Sequence, residues 1–175
     1  DSLLDINACK SVTEMDCSSR QISNLDGLQH FENLQTLDCS YNTITKLTSI
    51  PSKLDYLNSS YCINLDSIGT LPNTLTHFDC SYNQISTLPN LPLNLDKLLC
   101  SVNKIVKINY LPPSLTHIDC SFNNLKKLPE LPESLAIINC SYNELTSLPD
   151  LPPEIGLTYN NPLNIFNNNI NCVGE

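Results

Sequence analysis

The chain has no tryptophan, four glycines and one methionine among 175 residues, and only 6% of it is aromatic. Without tryptophan a glycan receptor lacks its best stacking platform, which weighs against carbohydrate binding. Basic residues are scarce too: nine Lys and Arg stand against 18 Asp and Glu, a formal net charge of −9. That balance argues against nucleic acid, whose phosphates require a basic footprint. No apolar run reaches the length of a membrane span. The opening DSLLDINACKSV lacks the basic-then-apolar order of a secretory signal, so none is expected in this chain. No CxxC pair occurs, which removes the commonest zinc framework.

Leucine, asparagine and proline dominate instead. CSYN occurs at Cys39, Cys80 and Cys140, CSFN at Cys120, CSVN at Cys100 and a weaker CSSR at Cys17. From Cys80 the cysteines recur every 20 residues, at Cys100, Cys120 and Cys140. The surrounding letters agree, as in LTHFDCSYNQISTLPNLPLN from Leu75 and LTHIDCSFNNLKKLPELPES from Leu115. Self-similarity at this period means a solenoid, and LxxLxCxxNxLxxL is the pattern of a leucine-rich repeat. About seven repeats of 20–22 residues start near Val12, Leu34, Leu54, Leu75, Leu95, Leu115 and Leu135. The expected organisation is one domain over residues 1–175, with an N-terminal cap at 1–11, repeats at 12–154, and a degenerate last repeat and cap at 155–175.

In the repeat at Leu75, residues Leu75, Phe78 and Cys80 alternate with polar neighbours as a half-buried strand requires. Its copies one repeat away are predicted to pair with it in parallel, forming a sheet on the concave face. Asn83 then turns the chain outward, its amide serving backbone groups that the bend leaves unpaired. Asn42, Asn103, Asn123 and Asn143 hold the same place. Ile85 and Leu88 re-enter the core, and the LPNLP return is expected to be extended and polyproline-like on the convex side.

Each cysteine of the motif follows an inward residue by two and so points inward. Cys17, Cys39, Cys80, Cys100, Cys120 and Cys140 are therefore expected to stack as a column of buried thiols acting as small hydrophobes. Strands about 4.8 Å apart would permit a disulfide on distance alone, but parallel Cβ vectors would have to pinch the sheet. With no inward His to complete a ligand set, no metal or cofactor is expected. The third repeat, LDYLNSSYCINLDSIGTLPNT, has Ser59 in the column, Cys62 in the asparagine place and one extra residue, so a bulge or widened turn is expected near Cys62 and Asn64. The first repeat has Arg20 in the asparagine place, and EIGLTYNNPLNIF reads as two residues short of register, a terminal degenerate repeat. Cys9 and Cys172 fall in the caps, free or paired with something unseen.

The doubled LPxLP return preceded by SYN, clearest in LPELPESLAIINCSYNELTSLPDLPPE, resembles the repeats of the YopM and IpaH bacterial effector families over roughly Leu71 to Phe166. The cysteines of LxCSxN and the opening VTEMDCSSRQISNLDGL look more like the cysteine-ladder internalins of bacterial surfaces. Both resemblances imply protein binding through the concave sheet. IpaH-type effectors add a ubiquitin-ligase domain with a catalytic cysteine, an activity not expected of these 175 residues themselves.

Residues that do not point inward make the concave face, an acidic column containing Asp79 and Asp119 beside an aromatic one containing Tyr82, Phe122 and Tyr142. The carboxylates are either solvated surface bonded to neighbouring serines or a docking face. The rings are either a packing ladder that stiffens the stacked strands or a binding surface, and the first role does not exclude the second. Lys46, Lys104, Lys107, Lys126 and Lys127 fall past the turn, on the opposite flank. His77 with Asp79, and His117 with Asp119, resemble half of a catalytic or metal set, but the pairs are two repeats and about 10 Å apart. The serines recur in every repeat and look structural. The fifth repeat breaks both columns, with Leu99 in the aspartate place and Val102 in the ring place, and an apolar patch is expected there, bordered by Lys97 and the two histidines.

The reading is a non-enzymatic module that binds a protein through His77, Asp79, Tyr82, Lys97, Leu99, Val102, His117, Asp119, Phe122 and Tyr142. The partner is expected to present a basic surface and the chain to be monomeric. Its expected setting is a secreted effector in a host cytosol or a bacterial cell surface. The alternatives are the targeting repeats of a larger effector ubiquitin ligase, and a structural or glycan-binding surface repeat.

Overall fold

Each repeat lays down a short strand whose middle residue faces the core, half-buried at Met15 in the first and fully buried from the second to the seventh, and the strands stack in register. The computed structural model describes residues 6–153, 155 and 163–170. The strands are β1 (Glu14–Asp16), β2 (Thr36–Asp38), β3 (Lys46–Leu47), β4 (Tyr56–Asn58), β5 (Ser67–Ile68), β6 (His77–Asp79), β7 (Lys97–Leu99), β8 (His117–Asp119), β9 (Ile137–Asn139) and β10 (Leu163–Asn164). Eight of them form one parallel sheet in the order β1-β2-β4-β6-β7-β8-β9-β10. Leu37, Leu57, Phe78, Leu98, Ile118 and Ile138 are the buried middle residues, aligned by pairings such as Phe78↔Leu98 and Leu98↔Ile118. The ladder runs on past each strand, with Cys80 N–H donating to the Leu99 carbonyl at 2.8 Å and Cys100 N–H to that of Asp119 at 2.8 Å.

Two features of the returns differ from a uniformly extended convex side. The first return, two residues longer and free of proline, contains a 3-10 turn at Leu28–His30, entered through Gly27 at φ 106. The second and third returns pair with each other as a small parallel sheet of β3 and β5. Gly69 closes that pair, its N–H donating to the Leu47 carbonyl at 2.8 Å, and a Cβ there would collide with Thr48. At the far end the chain is not short of register: Leu163 pairs with Ile138, 25 residues earlier, so the last turn is longer than its predecessors.

The cysteine column is buried in the middle and open at its start. Cys39, Cys80, Cys100, Cys120 and Cys140 have no exposed surface, whereas Cys17, in the first coil, is only half-buried. Ser59 fills the column in the third coil and donates to the Asp79 carbonyl at 3.2 Å. All eight described cysteines are free thiols, including buried Cys9; Cys172 lies outside the described residues.

The asparagines hold coil to coil. Asn123 Nδ2 donates to the Cys120 carbonyl of its own coil at 3.1 Å and to the Cys100 carbonyl of the preceding one at 3.0 Å, while its Oδ1 accepts from Ile105 N–H at 2.9 Å. Asn42, Asn103 and Asn143 repeat this pattern, and Asn168 does so for the last turn. In the third coil Cys62 substitutes, its Sγ donating to the Cys39 carbonyl at 3.3 Å. The extra residue there forms a turn in which Leu65 N–H bonds the Cys62 carbonyl at 2.6 Å, and Asn83 Oδ1 is left buried without a partner.

Both devices have measurable effects on stability. Asn123→Ala strands the Ile105 N–H and takes from the Cys100 and Cys120 carbonyls one of two amide donors each, and should cost roughly 1–3 kcal/mol in denaturant titrations, with Asn83→Ala, whose Oδ1 has no bond to lose, milder. Burial raises the Cys80, Cys100 and Cys120 thiols well above their ordinary range and pushes Cys140 up to about 11. The unfolded chain ionises these thiols while the native state keeps them protonated, so stability should fall as pH rises above about 8.5. Urea midpoints that stay level between about pH 7 and 9.5 would contradict the buried column.

Candidate functional site

The outer face of the sheet is built from the residues flanking each buried middle position. One row reads Tyr56, His77, Lys97, His117 and Ile137; the next reads Asp38, Asn58, Asp79, Leu99, Asp119 and Asn139. The second row is first of all a set of turn locks. Asp79 Oδ1 accepts from Ser81 N–H at 2.9 Å and Ser81 Oγ at 2.7 Å, and Asp119 does the same for Ser121 at 3.0 and 2.6 Å. Asp38, Asn58 and Asn139 repeat it with their serines. A short polar side chain bonding the backbone two residues on is an Asx-turn, and among the described residues it ends seven of the strands, Asp16 and Asn164 accepting from Ser18 and Phe166 N–H at the two ends of the sheet. The serines are consequently buried beneath these side chains rather than displayed on the face: Ser40, Ser60, Ser81, Ser121 and Ser141 are 2–6% exposed.

Past each lock the chain makes a left-handed bend. Tyr41, Tyr61, Tyr82, Val102, Phe122 and Tyr142 all have φ between 53 and 57. Their side chains stand in one file, because Tyr82 N–H donates to the Ser101 carbonyl and Val102 N–H to that of Ser121. The rings stack nearly parallel, with centroids 4.5 Å apart for Tyr41–Tyr61, 4.0 Å for Tyr61–Tyr82 and 4.1 Å for Phe122–Tyr142. Tyr41, Tyr82, Phe122 and Tyr142 remain 41–56% exposed, so the stack is a ridge open to solvent. The Tyr82 hydroxyl alongside, more than burial, pushes the Tyr61 phenol up to about 12.

Register brings the sequence-predicted residues together. Leu99, 38% exposed, lies between Asp79 and Asp119, and Lys97 lies between His77 and His117. Tyr142 stands one coil beyond Phe122, outside the immediate patch. Val102 is half-buried, less exposed than the rings on either side. The histidines do not pair with Asp79 and Asp119. His77 Nδ1 meets Thr76 Oγ1 at 2.8 Å and His117 Nδ1 meets Thr116 Oγ1 at 2.6 Å. Thr76 Oγ1 donates to Asp55 and Thr116 Oγ1 to Asp96, and His77 Nε2 lies 4.0 Å from Asp96. Sequence reasoning misses these threonines and aspartates, though LTH occurs twice one step before the strand. The serine caps have a signal in the recurring D-C-S triplet, whose spacing is that of an Asx-turn. Among the described residues, no three His, Cys, Asp or Glu side chains gather as a metal set.

Burial raises the Asp79 carboxyl above its usual range; its bonds to Ser81 pull the other way, and the charges of Asp119 and Asp38 add to the rise. Asn58 Nδ2 serves Asp38 and Asn139 Nδ2 serves Asp119, while Asp79 receives no such amide.

No protein-family model matches the chain. No curated protein sequence matches it. Among solved structures it is similar to YopM from Yersinia enterocolitica WA-314, with a TM-score of 0.74 and 37% identity over 78% of this chain and 29% of that one. It is similar to a Shigella effector leucine-rich-repeat domain, with a TM-score of 0.62, 28% identity, and coverage of 83% of this chain and 57% of that one. It is also similar to the functional domain of InlJ from Listeria monocytogenes, which includes a cysteine ladder, with a TM-score of 0.63, 28% identity, and coverage of 98% and 48%. The chain thus spans 29% to 57% of the length of these three. It is a parallel-sheet leucine-rich-repeat solenoid resembling those bacterial proteins, a likeness that supports a repeat module for protein interaction.

Because Asn58 and Asn139 make the same serine bonds without a charge, Asp79→Asn should melt at or above the wild type at pH 7. Asp79→Ala, which strands Ser81 N–H and Oγ, should cost about 1–2 kcal/mol. The raised carboxyl means that its charge opposes folding above its native pKa, so any gain from the Asp79→Asn substitution should fade as pH falls and Asp79 takes up a proton.

Proposed function

We propose that this leucine-rich-repeat chain binds a protein partner on the outer face of its sheet, with contact centred on the fifth coil. The observation that carries the reading is the local break at Leu99 and Val102. In the neighbouring coils the acidic and aromatic files are accounted for by turn-locking and stacking. At the fifth coil neither role is performed, and the apolar side chain of Leu99 is exposed between Asp79 and Asp119. An apolar cluster rimmed by charge is the form of a binding hot spot. Asp38, Asp79, Asp119 and the net charge of −9 favour a partner with a basic surface, and the likeness to effector and internalin repeats favours an effector-like or surface-recognition setting.

The test is capture of a partner from host-cell lysate on the immobilised chain, compared with Leu99→Asp and with Lys126→Glu on the opposite flank. Leu99→Asp restores the aspartate file with little effect on stability and should weaken binding of the captured protein by roughly 2 kcal/mol or more. Lys126→Glu should leave it unchanged. Equal binding by Leu99→Asp and wild type would place the contact elsewhere.

A further inference from the structure

The ring file has one missing rung. Tyr61 shows what an occupied rung looks like, its ring lying between those of Tyr41 and Tyr82 at 4.5 and 4.0 Å. Val102 occupies the corresponding place between Tyr82 and Phe122 but its side chain stops where a ring would begin. Twice the ring spacing of 4.0–4.5 Å seen one coil apart puts Tyr82 and Phe122, two coils apart, about 8–9 Å from each other. One planar group in contact with both needs about 7–8 Å. The space above Val102 therefore matches a single aromatic ring in thickness, with the valine as its floor.

Three further observations concern the same place. Val102 is held at φ 54, and it is the sole β-branched residue among the described non-glycine positions with positive φ. Branching at Cβ makes that conformation strained, and strain that persists marks a place where a different demand is met. Ser101 and Asn103 are half-buried where the equivalent serines and asparagines of the second, fourth, sixth and seventh coils are buried, so the surface is open at this coil. Ser101 also has no acceptor for its N–H and Oγ among the described residues, because Leu99 replaces the aspartate that caps them in other coils.

We propose that the gap at Val102 receives one aromatic side chain of the protein partner, sandwiched between Tyr82 and Phe122; the proposal rests on the sheet-face reading above. A guanidinium is also planar, but Ser101 presents unpaired donors and Lys97 a positive charge in the same coil, which suit a ring followed by a backbone carbonyl. Asp79 and Asp119, one coil to either side, suit basic residues flanking that ring. The bound ring adds two stacked contacts while burying Val102 and part of Leu99.

The experiment titrates three peptides, Ac-Lys-Tyr-Lys-NH2, Ac-Lys-Leu-Lys-NH2 and Ac-Lys-Arg-Lys-NH2, into methyl-labelled protein and follows the Val102 and Leu99 methyl resonances. The tyrosyl peptide should bind at least about fivefold tighter than the leucyl one and move the Val102 methyls upfield through the ring current. Val102→Tyr fills the rung from within and relieves the strain, so it should melt about 2–4 °C higher while losing saturable binding of the tyrosyl peptide. Tyr82→Ala removes one wall and should weaken the tyrosyl peptide about fivefold without affecting the leucyl one. Equal binding of the tyrosyl and leucyl peptides, tightest binding of the arginyl peptide, or undiminished binding by Val102→Tyr would each overturn the proposal. The two readings fail separately. A captured partner lost by Leu99→Asp but kept by Val102→Tyr overturns the aromatic gap and leaves the patch standing; one kept by Leu99→Asp overturns the patch.

Discussion

The structure depends on one asparagine per coil reaching backward. A parallel sheet of three-residue strands has few hydrogen bonds of its own, and each chain leaving it exposes carbonyls at the bend. The asparagine amide answers two of these at once, one in its own coil and one in the preceding coil, while its oxygen takes an N–H from that same preceding coil. Neither aspartate nor serine offers two donors and an acceptor in so short a side chain. Because the bonds cross the coil boundary, each repeat is completed only by its successor, the nearest-neighbour dependence expected of a solenoid. The third coil shows the tolerance of the scheme. A cysteine supplies the single donor, a turn absorbs the extra residue, and the deficit surfaces one coil later as the unpartnered Asn83 oxygen.

The same logic reinterprets the outer face. Aspartate beside serine, repeated along a sheet, has the outward form of an acidic docking strip. Here Oδ1 is committed to the serine backbone and hydroxyl, and the serine disappears beneath it. Asparagine performs that task equally well at Asn58 and Asn139, so the sheet requires the acceptor and not the charge. Charge on this face is left free to vary, whereas the carbonyl-type oxygen is not. The ring file is likewise structural in part, since stacked rings bridge successive left-handed bends.

What the sequence makes legible is whatever recurs with the same side chain. The strands, the inward cysteines and the asparagine turn repeat letter for letter, and periodicity alone aligns them. The turn at Cys62 and Asn64 is visible because it interrupts an otherwise even count. Features set by neighbours in space are harder to see. The half-exposure of Cys17 follows from its position in the first coil rather than from its identity. The pairing of β3 with β5 requires two adjacent proline-poor returns to lie side by side. The last turn is easily misread because PLNIFNNN keeps the register with isoleucine in the cysteine place, which breaks the letter pattern while keeping the physical one. Burial of the serines is hidden when alternation is carried one residue too far, past the point where the Asx-turn ends the strand.

The fifth coil is informative because its two departures are independent in mechanism and coincide in space. Losing the aspartate forfeits the lock on Ser101; losing the ring forfeits two stacked contacts and places a branched side chain in a conformation it resists. Either loss alone would be an ordinary variation among repeats. Together they weaken one coil in the middle of a sheet whose neighbouring coils retain both devices, and they leave the core beneath untouched, with Leu98 and Cys100 fully buried. On the proposed reading, a weakened surface over an intact core separates the demands of folding from those of recognition, with the neighbouring coils as walls and the fifth as the opening between them.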